Sequence, residues 1–138
     1  MVNVNDFENE TPEGDLLKVI FERQRMLMEK YHLIEESNLN TALPHAPLDL
    51  DDPKAQQRIK DFAWRITEEL GEAMNCLKNK PWKVTHMVTD ETHFLEELID
   101  GVHFYVELLI MVGFDAESLT RMYLNKNDVN QFRIRSKY

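Results

Sequence analysis

Apolar residues recur at helical spacing along almost the whole chain, and the four glycines and five prolines fall mostly at the ends of the periodic stretches. This pattern predicts an all-α fold, a bundle of four to five helices in one domain spanning residues 1–138, with 1–12 as a polar lead. Thr11 followed by Pro12 reads as an N-cap and first helical position. From there Leu16, Leu17, Ile20, Phe21, Leu27 and Met28 form a stripe that ends near Glu36. Asp52-Pro53 repeats the cap-then-proline signal for a second helix reaching about Asn79. A third is expected from about Glu91 to Val112, with Gly113 as its stop. Asp115 then caps a fourth, whose pattern fades within "KNDVNQFRIRSKY".

Charge and cysteine content narrow the function classes. The chain has 25 acidic and 16 basic residues, a net charge of −9, which argues against nonspecific nucleic-acid binding through counterion release. An anionic small molecule remains compatible, because a metal ion or a local basic cluster inverts the field. The lone cysteine, Cys76, cannot pair within the chain and reads as a packed thiol, pointing to a reducing cytoplasm. No stretch reads as a signal peptide or a membrane span, so a soluble intracellular protein is expected.

The most informative stretch is "FLEELIDGVHFYVELL", Phe94 to Leu109. Glu97 and Asp100 lie about 60° apart around a helix and about 4.5 Å along it, so they share a face. "WRITEELGEAMNCL" carries Glu69 and Glu72 at the same spacing, with Glu68 beside them. Such a pair is ordinarily a solvated face, but here Leu95, Leu98, Ile99, Val102, Phe104, Tyr105, Val106, Leu108, Leu109 and Ile110 leave little circumference for water. The acids must border the core, where two like charges at ~4 Å repel by about 4 kcal/mol at an effective dielectric near 20. A divalent cation resolves that repulsion, and oxygen-only ligands favour Mg²⁺, Mn²⁺ or Ca²⁺ over zinc.

Gly71 and Gly101, inside the two acidic helices, suggest close helix approach. Asp100 and His103 form one acid-x-x-His turn, but a di-iron bundle needs two such turns and further glutamates. His103 reads better as a hydrogen-bonded histidine at the core edge. His32, His45, His86 and His93 form no ligand pattern with it in the sequence.

These residues carry a resemblance that spans about Lys18 to Tyr138. The chain resembles the all-α nucleoside triphosphate pyrophosphatases, a superfamily that includes MazG, and among them the dimeric dUTPases and phage dCTP/dUTP pyrophosphatases. "EELGE" and "EELIDGVHFYVELLIMVG" look like the family's E-x-x-E and E-x-x-D metal motifs. "YLNKNDVNQFRIRSKY" looks like its closing Y-x-x-K-N-x-x-N-x-F-R signature, followed by a terminal aromatic. Gln24 in "FERQRMLMEKY" and Trp82 in "KPWK" fall where the family has a helix-borne glutamine near the nucleobase and a tryptophan-containing loop.

The resemblance implies Mg²⁺-dependent hydrolysis of a deoxynucleoside triphosphate to the monophosphate and pyrophosphate, with Mn²⁺ as a substitute. Glu69, Glu72, Glu97 and Asp100 would be the metal ligands. Glu68 and Glu69 would be the catalytic carboxylates, Glu68 orienting or deprotonating the attacking water or standing behind the ligands. Gln24, Trp82, Tyr123, Lys126, Asn127, Asn130 and Arg133 would bind substrate: the amide to a pyrimidine edge, the indole to the base, and the basic groups to phosphate. dUTP is the first expectation and dCTP the second. A broader MazG-like specificity and a catalytically silent helical interaction module are the alternatives. The same kinship implies a homodimer of phage or bacterial origin, in the host cytoplasm if phage-encoded.

Overall fold

The computed structural model describes residues 2–137. Four α-helices follow a short 3-10 helix at Val4–Asp6: α1 Leu16–Leu39, α2 Pro53–Cys76, α3 Glu91–Met111 and α4 Ala116–Arg135. The described residues include no strand, and none of these helices is long and apolar enough to cross a membrane.

Each helix starts at an aspartate whose side chain satisfies an orphan backbone N–H. The expected start of α1 needs correction. Asp15 caps it, accepting from Lys18 N at 3.1 Å, and Thr11 does not. Gly14 sits at φ +91°, a left-handed value that breaks any helix begun at Pro12. Asp52 caps α2 with Pro53 behind it, Asp90 caps α3, and Asp115 forms a reciprocal capping box with Ser118.

The ends are equally explicit. Asn40, left-handed at φ 50°, closes α1 three residues beyond Glu36. Gly113 at φ 101° stops α3, as its sequence position suggests. α2 ends at Cys76 rather than near Asn79, because the Asn79 side chain instead clamps the following loop. Its Nδ2 donates to Met87 O at 2.7 Å and its Oδ1 accepts from Met87 N at 2.9 Å.

α2 and α3 form the principal packed pair, and α1 lies against α3. Phe62 on α2 is completely buried, meeting Phe104 of α3 edge-on at 6.1 Å between ring centroids. The α1–α2 connection joins this core: Leu48 is buried against it, and its N–H donates to Met111 O at 2.7 Å. A second core gathers Phe21, Val106 and Ile110, with Phe114 and Leu119 at its margin.

α4 behaves differently. Its first turn, with Ala116 and Leu119, packs at the margin of the second core, its backbone comes close only to α1 among the described helices, and every described residue from 121 onward is exposed. The helix persists to Arg135 although its apolar pattern fades, since without a buried face it leaves no core stripe to read. Tyr123, Leu124, Phe132 and Ile134 are therefore apolar groups in water. The terminal aromatic noted in the sequence, Tyr138, lies outside the described residues.

Candidate metal centre

The α2–α3 pairing turns two acidic motifs into one cluster. Single carboxylate oxygens of Glu69, Glu97 and Asp100 all lie within 4.8 Å of one another. Glu97 is 8% exposed, Glu69 is half-buried and Asp100 reaches solvent. Close helix approach, expected at both helix glycines, is required at neither: a Cβ at Gly101 would stand 3.9 Å from Glu69 Cβ, ordinary van der Waals contact, and one at Gly71 would meet nothing within 4 Å.

Crowding shows in the electrostatics. Burial, a hydrogen bond with Glu97 and the nearby charges of Glu72, Asp100 and Glu97 raise the Glu69 carboxyl to about 7. Glu72 thus feels the cluster but stands outside the three convergent groups, exposed one turn along α2. Glu68 is also exposed, about 100° around the helix from Glu69, and is not one of the convergent acids.

Oxygen-only donors with unrelieved repulsion fit a hard divalent cation such as Mg²⁺ or Mn²⁺. The residues that would hold it are Glu69, Glu97 and Asp100, with Glu72 within reach of the same field.

A cavity of about 430 Å³ opens beside the cluster, lined by Glu72, Asn75, Cys76, Lys78, Asp90 and His93 among others. His93 Nε2 stands 3.4 Å from Glu97 Oε1. Lys78 supplies the one basic amine of this lining. Neither was singled out in the sequence, although His93 and Glu97 do stand at the i, i+4 spacing of helical neighbours. Cys76 is the packed thiol expected: its Sγ lies 3.5 Å from Glu72 O, and burial and the carboxylates of Glu97 and Asp90 push its pKa up.

The remaining candidates are dispersed. Gln24 is buried and donates through Nε2 to Glu107 Oε2 at 3.4 Å. It also lines a separate, mostly apolar cavity of about 500 Å³ beneath the N-terminal segment. Trp82 is 77% exposed on the 77–90 loop and is not part of the wall of the cavity beside the acids. Tyr123, Lys126, Asn127, Asn130 and Arg133 ride on the exposed part of α4, which packs against neither acidic helix. His103 is exposed, its Nδ1 2.9 Å from Ile99 O.

A buried charge network in the same bundle escaped sequence reading. Glu35 on α1 takes Arg58 Nη2 at 2.6 Å and also pairs with Arg65. Burial pushes the Glu35 carboxyl up, but the hydrogen bonds from Arg58 and Arg65 outweigh it and hold it below the usual range. The guanidinium carbons of Arg58 and Arg65 lie 5.1 and 4.5 Å from the Phe62 ring centroid. No period or motif joins residues 23 and 30 positions apart, so only the fold discloses them.

Fold and site together define an all-α protein with a carboxylate cluster suited to a divalent cation. The chain matches no family model, no curated protein and no solved structure.

Proposed function

We propose that this protein is a Mg²⁺-dependent nucleoside triphosphate pyrophosphatase of the all-α, MazG and dimeric dUTPase type, acting on a deoxynucleoside triphosphate, dUTP before dCTP. The observation that carries the reading is the convergence of Glu69, Glu97 and Asp100 across two helices. Bound Mg²⁺ would neutralise phosphate charge and acidify a water poised to attack the α-phosphorus. Glu97, anchored in the packed α2–α3 interface, fixes the geometry of the cluster. Glu69 and Asp100 complete it, and Glu72 faces the cavity where the polyphosphate would lie. Lys78 lines that cavity as a point charge for phosphate. Asp90 and His93 border it, and the ion-pairing distance of His93 to Glu97 orients the buried ligand. Trp82, exposed on the loop beyond, would stack on a base entering from solvent.

The C-terminal signature residues favour a homodimer in this reading. Lys126, Asn127, Asn130 and Arg133 sit on the exposed part of α4, beyond its packed first turn, so a second copy is the simplest source of these groups for the cluster. The exposed Tyr123, Leu124, Phe132 and Ile134 supply an apolar surface for that contact.

The test is product analysis on dUTP, dCTP, dTTP, dATP, dGTP and their ribose counterparts. Pyrophosphate and monophosphate formed chiefly from dUTP or dCTP support the reading. Equal turnover of purine nucleotides would favour the broader MazG-like specificity, and folded protein without turnover on any of them would contradict the enzymatic assignment.

A further inference from the structure

A second group of ligating side chains lies at the C-terminal end of α1 and shares no residue with the acidic cluster. His32 and Glu36 stand one turn apart on α1, and His45 comes back to them from the connection to α2. Single ligand atoms of all three lie within 4.8 Å of one another. His32 Nε2 is 3.1 Å from Glu36 Oε1, and His45 Nε2 is 3.6 Å from the same oxygen. Those separations bracket the ~3.3 Å edge of a tetrahedron with metal–nitrogen bonds near 2.0 Å. The imidazole centroids are 4.4 Å apart with a 39° tilt, and each ring has its Nε2 nearest Glu36 Oε1.

The surroundings are built to hold this arrangement. Leu43 N donates to Glu36 Oε1 at 2.9 Å, fixing the carboxylate and the course of the connection. A cavity of about 360 Å³ touches both histidines, lined also by Arg25, Met28, Glu29 and Ile110. It leaves room for a fourth ligand from solvent.

The plain alternative is a histidine–glutamate hydrogen-bond cluster. The same distances serve such a cluster, and the titration below separates the two. As a ligand set, two imidazoles with one carboxylate select a cation of borderline softness over Mg²⁺. We propose that His32, Glu36 and His45 form a second metal site, one for Zn²⁺ or a similar transition-metal ion, with three protein ligands and one open position. The ion would pin the α1–α2 connection to α1. This connection also carries Leu48 into the core.

Co²⁺ is the probe, because four-coordinate Co²⁺ absorbs visible light far more strongly than six-coordinate Co²⁺. The full chain is titrated near pH 7.5, alongside His45→Ala, His32→Ala and Glu97→Gln. The His45 side chain is 73% exposed, so its removal leaves the core intact, and circular dichroism checks the fold of every variant. The expected result is one equivalent of intensely absorbing Co²⁺ in the wild-type chain and in Glu97→Gln, displaced by one equivalent of Zn²⁺. In either histidine variant, affinity would fall by about 100-fold or more. Strong absorption unchanged in His45→Ala, strong absorption lost in Glu97→Gln, or only weak six-coordinate absorption in the wild-type chain would each overturn the proposal.

Discussion

Gln24 on α1 and Glu107 on α3 meet inside the helical core, the amide donating to the carboxyl across 3.4 Å. Burial raises Glu107 to about 7, opposed by the positive charges of Arg58 and Arg65. A carboxyl of raised folded pKa binds more protons in the native than in the unfolded state. Its contribution to stability therefore diminishes as pH rises from about 4.5 to about 7. Replacing Glu107 by Gln keeps the shape and removes the ionisation. The variant should be more stable than wild type at pH 8, by on the order of 2 kcal/mol, with no advantage at pH 4.5. Urea unfolding at the two pH values measures this, and parallel pH profiles would exclude it.

Glu35 should be indispensable to the fold. Its loss leaves Arg58, buried and already lacking a partner for Nε among the described residues, without its carboxylate. Breaking a fully buried pair from one side costs about 3–5 kcal/mol; Glu35 is only half-buried, so Glu35→Ala should lower the urea midpoint by less than that cost implies but clearly. Glu36→Ala, whose carboxylate has no arginine partner, should lower it less. Equal effects would mean that the arginine pairs add little.

The acidic cluster makes its own stability prediction. Without metal, the raised Glu69 pKa destabilises the fold as pH climbs from about 4.5 toward about 7. In chelator at pH 8, Glu69→Gln should therefore unfold at a higher temperature than wild type. With Mg²⁺ the order should reverse, since cation binding to the native state stabilises only the chain that retains its ligands. Differential scanning fluorimetry reads both halves.

The dimeric reading can be checked by mixing. Glu97→Gln removes a cluster ligand and Arg133→Ala removes a group on α4. If a site draws its acids from one copy and its α4 residues from the other, two inactive variants should regain up to about a quarter of wild-type activity when unfolded and refolded together. This follows because mixed dimers retain one intact site. Two variants that stay inactive together would place both groups in the same copy.

Much of this architecture was legible in the sequence because it depends on local rules. Asp52-Pro53 and Gly113 announced helix ends through neighbouring chemistry, and Glu97 and Asp100 announced a shared face through their spacing. The α1 start was misplaced by an attractive Thr-Pro pair, since the left-handed turn at Gly14 that overrides it has no periodic signature. The Glu35–Arg58–Arg65 network and the His32–Glu36–His45 group were invisible for another reason. The first joins α1 to α2 and the second brings His45 of the connection back onto α1, relations created only by tertiary packing. Ile99, Val102 and Tyr105, expected inside, are half-exposed, because apolar periodicity alone does not say which side of a helix its neighbours cover.

Pyrophosphate release from dUTP by wild type and Glu97→Gln, each with Mg²⁺ and with chelator, is the measurement on which the proposed function turns. Turnover is expected only in the wild-type chain with Mg²⁺, with a loss of about 100-fold or more in the folded variant. Turnover that survives either chelation or the substitution would rule out catalysis at the acidic cluster.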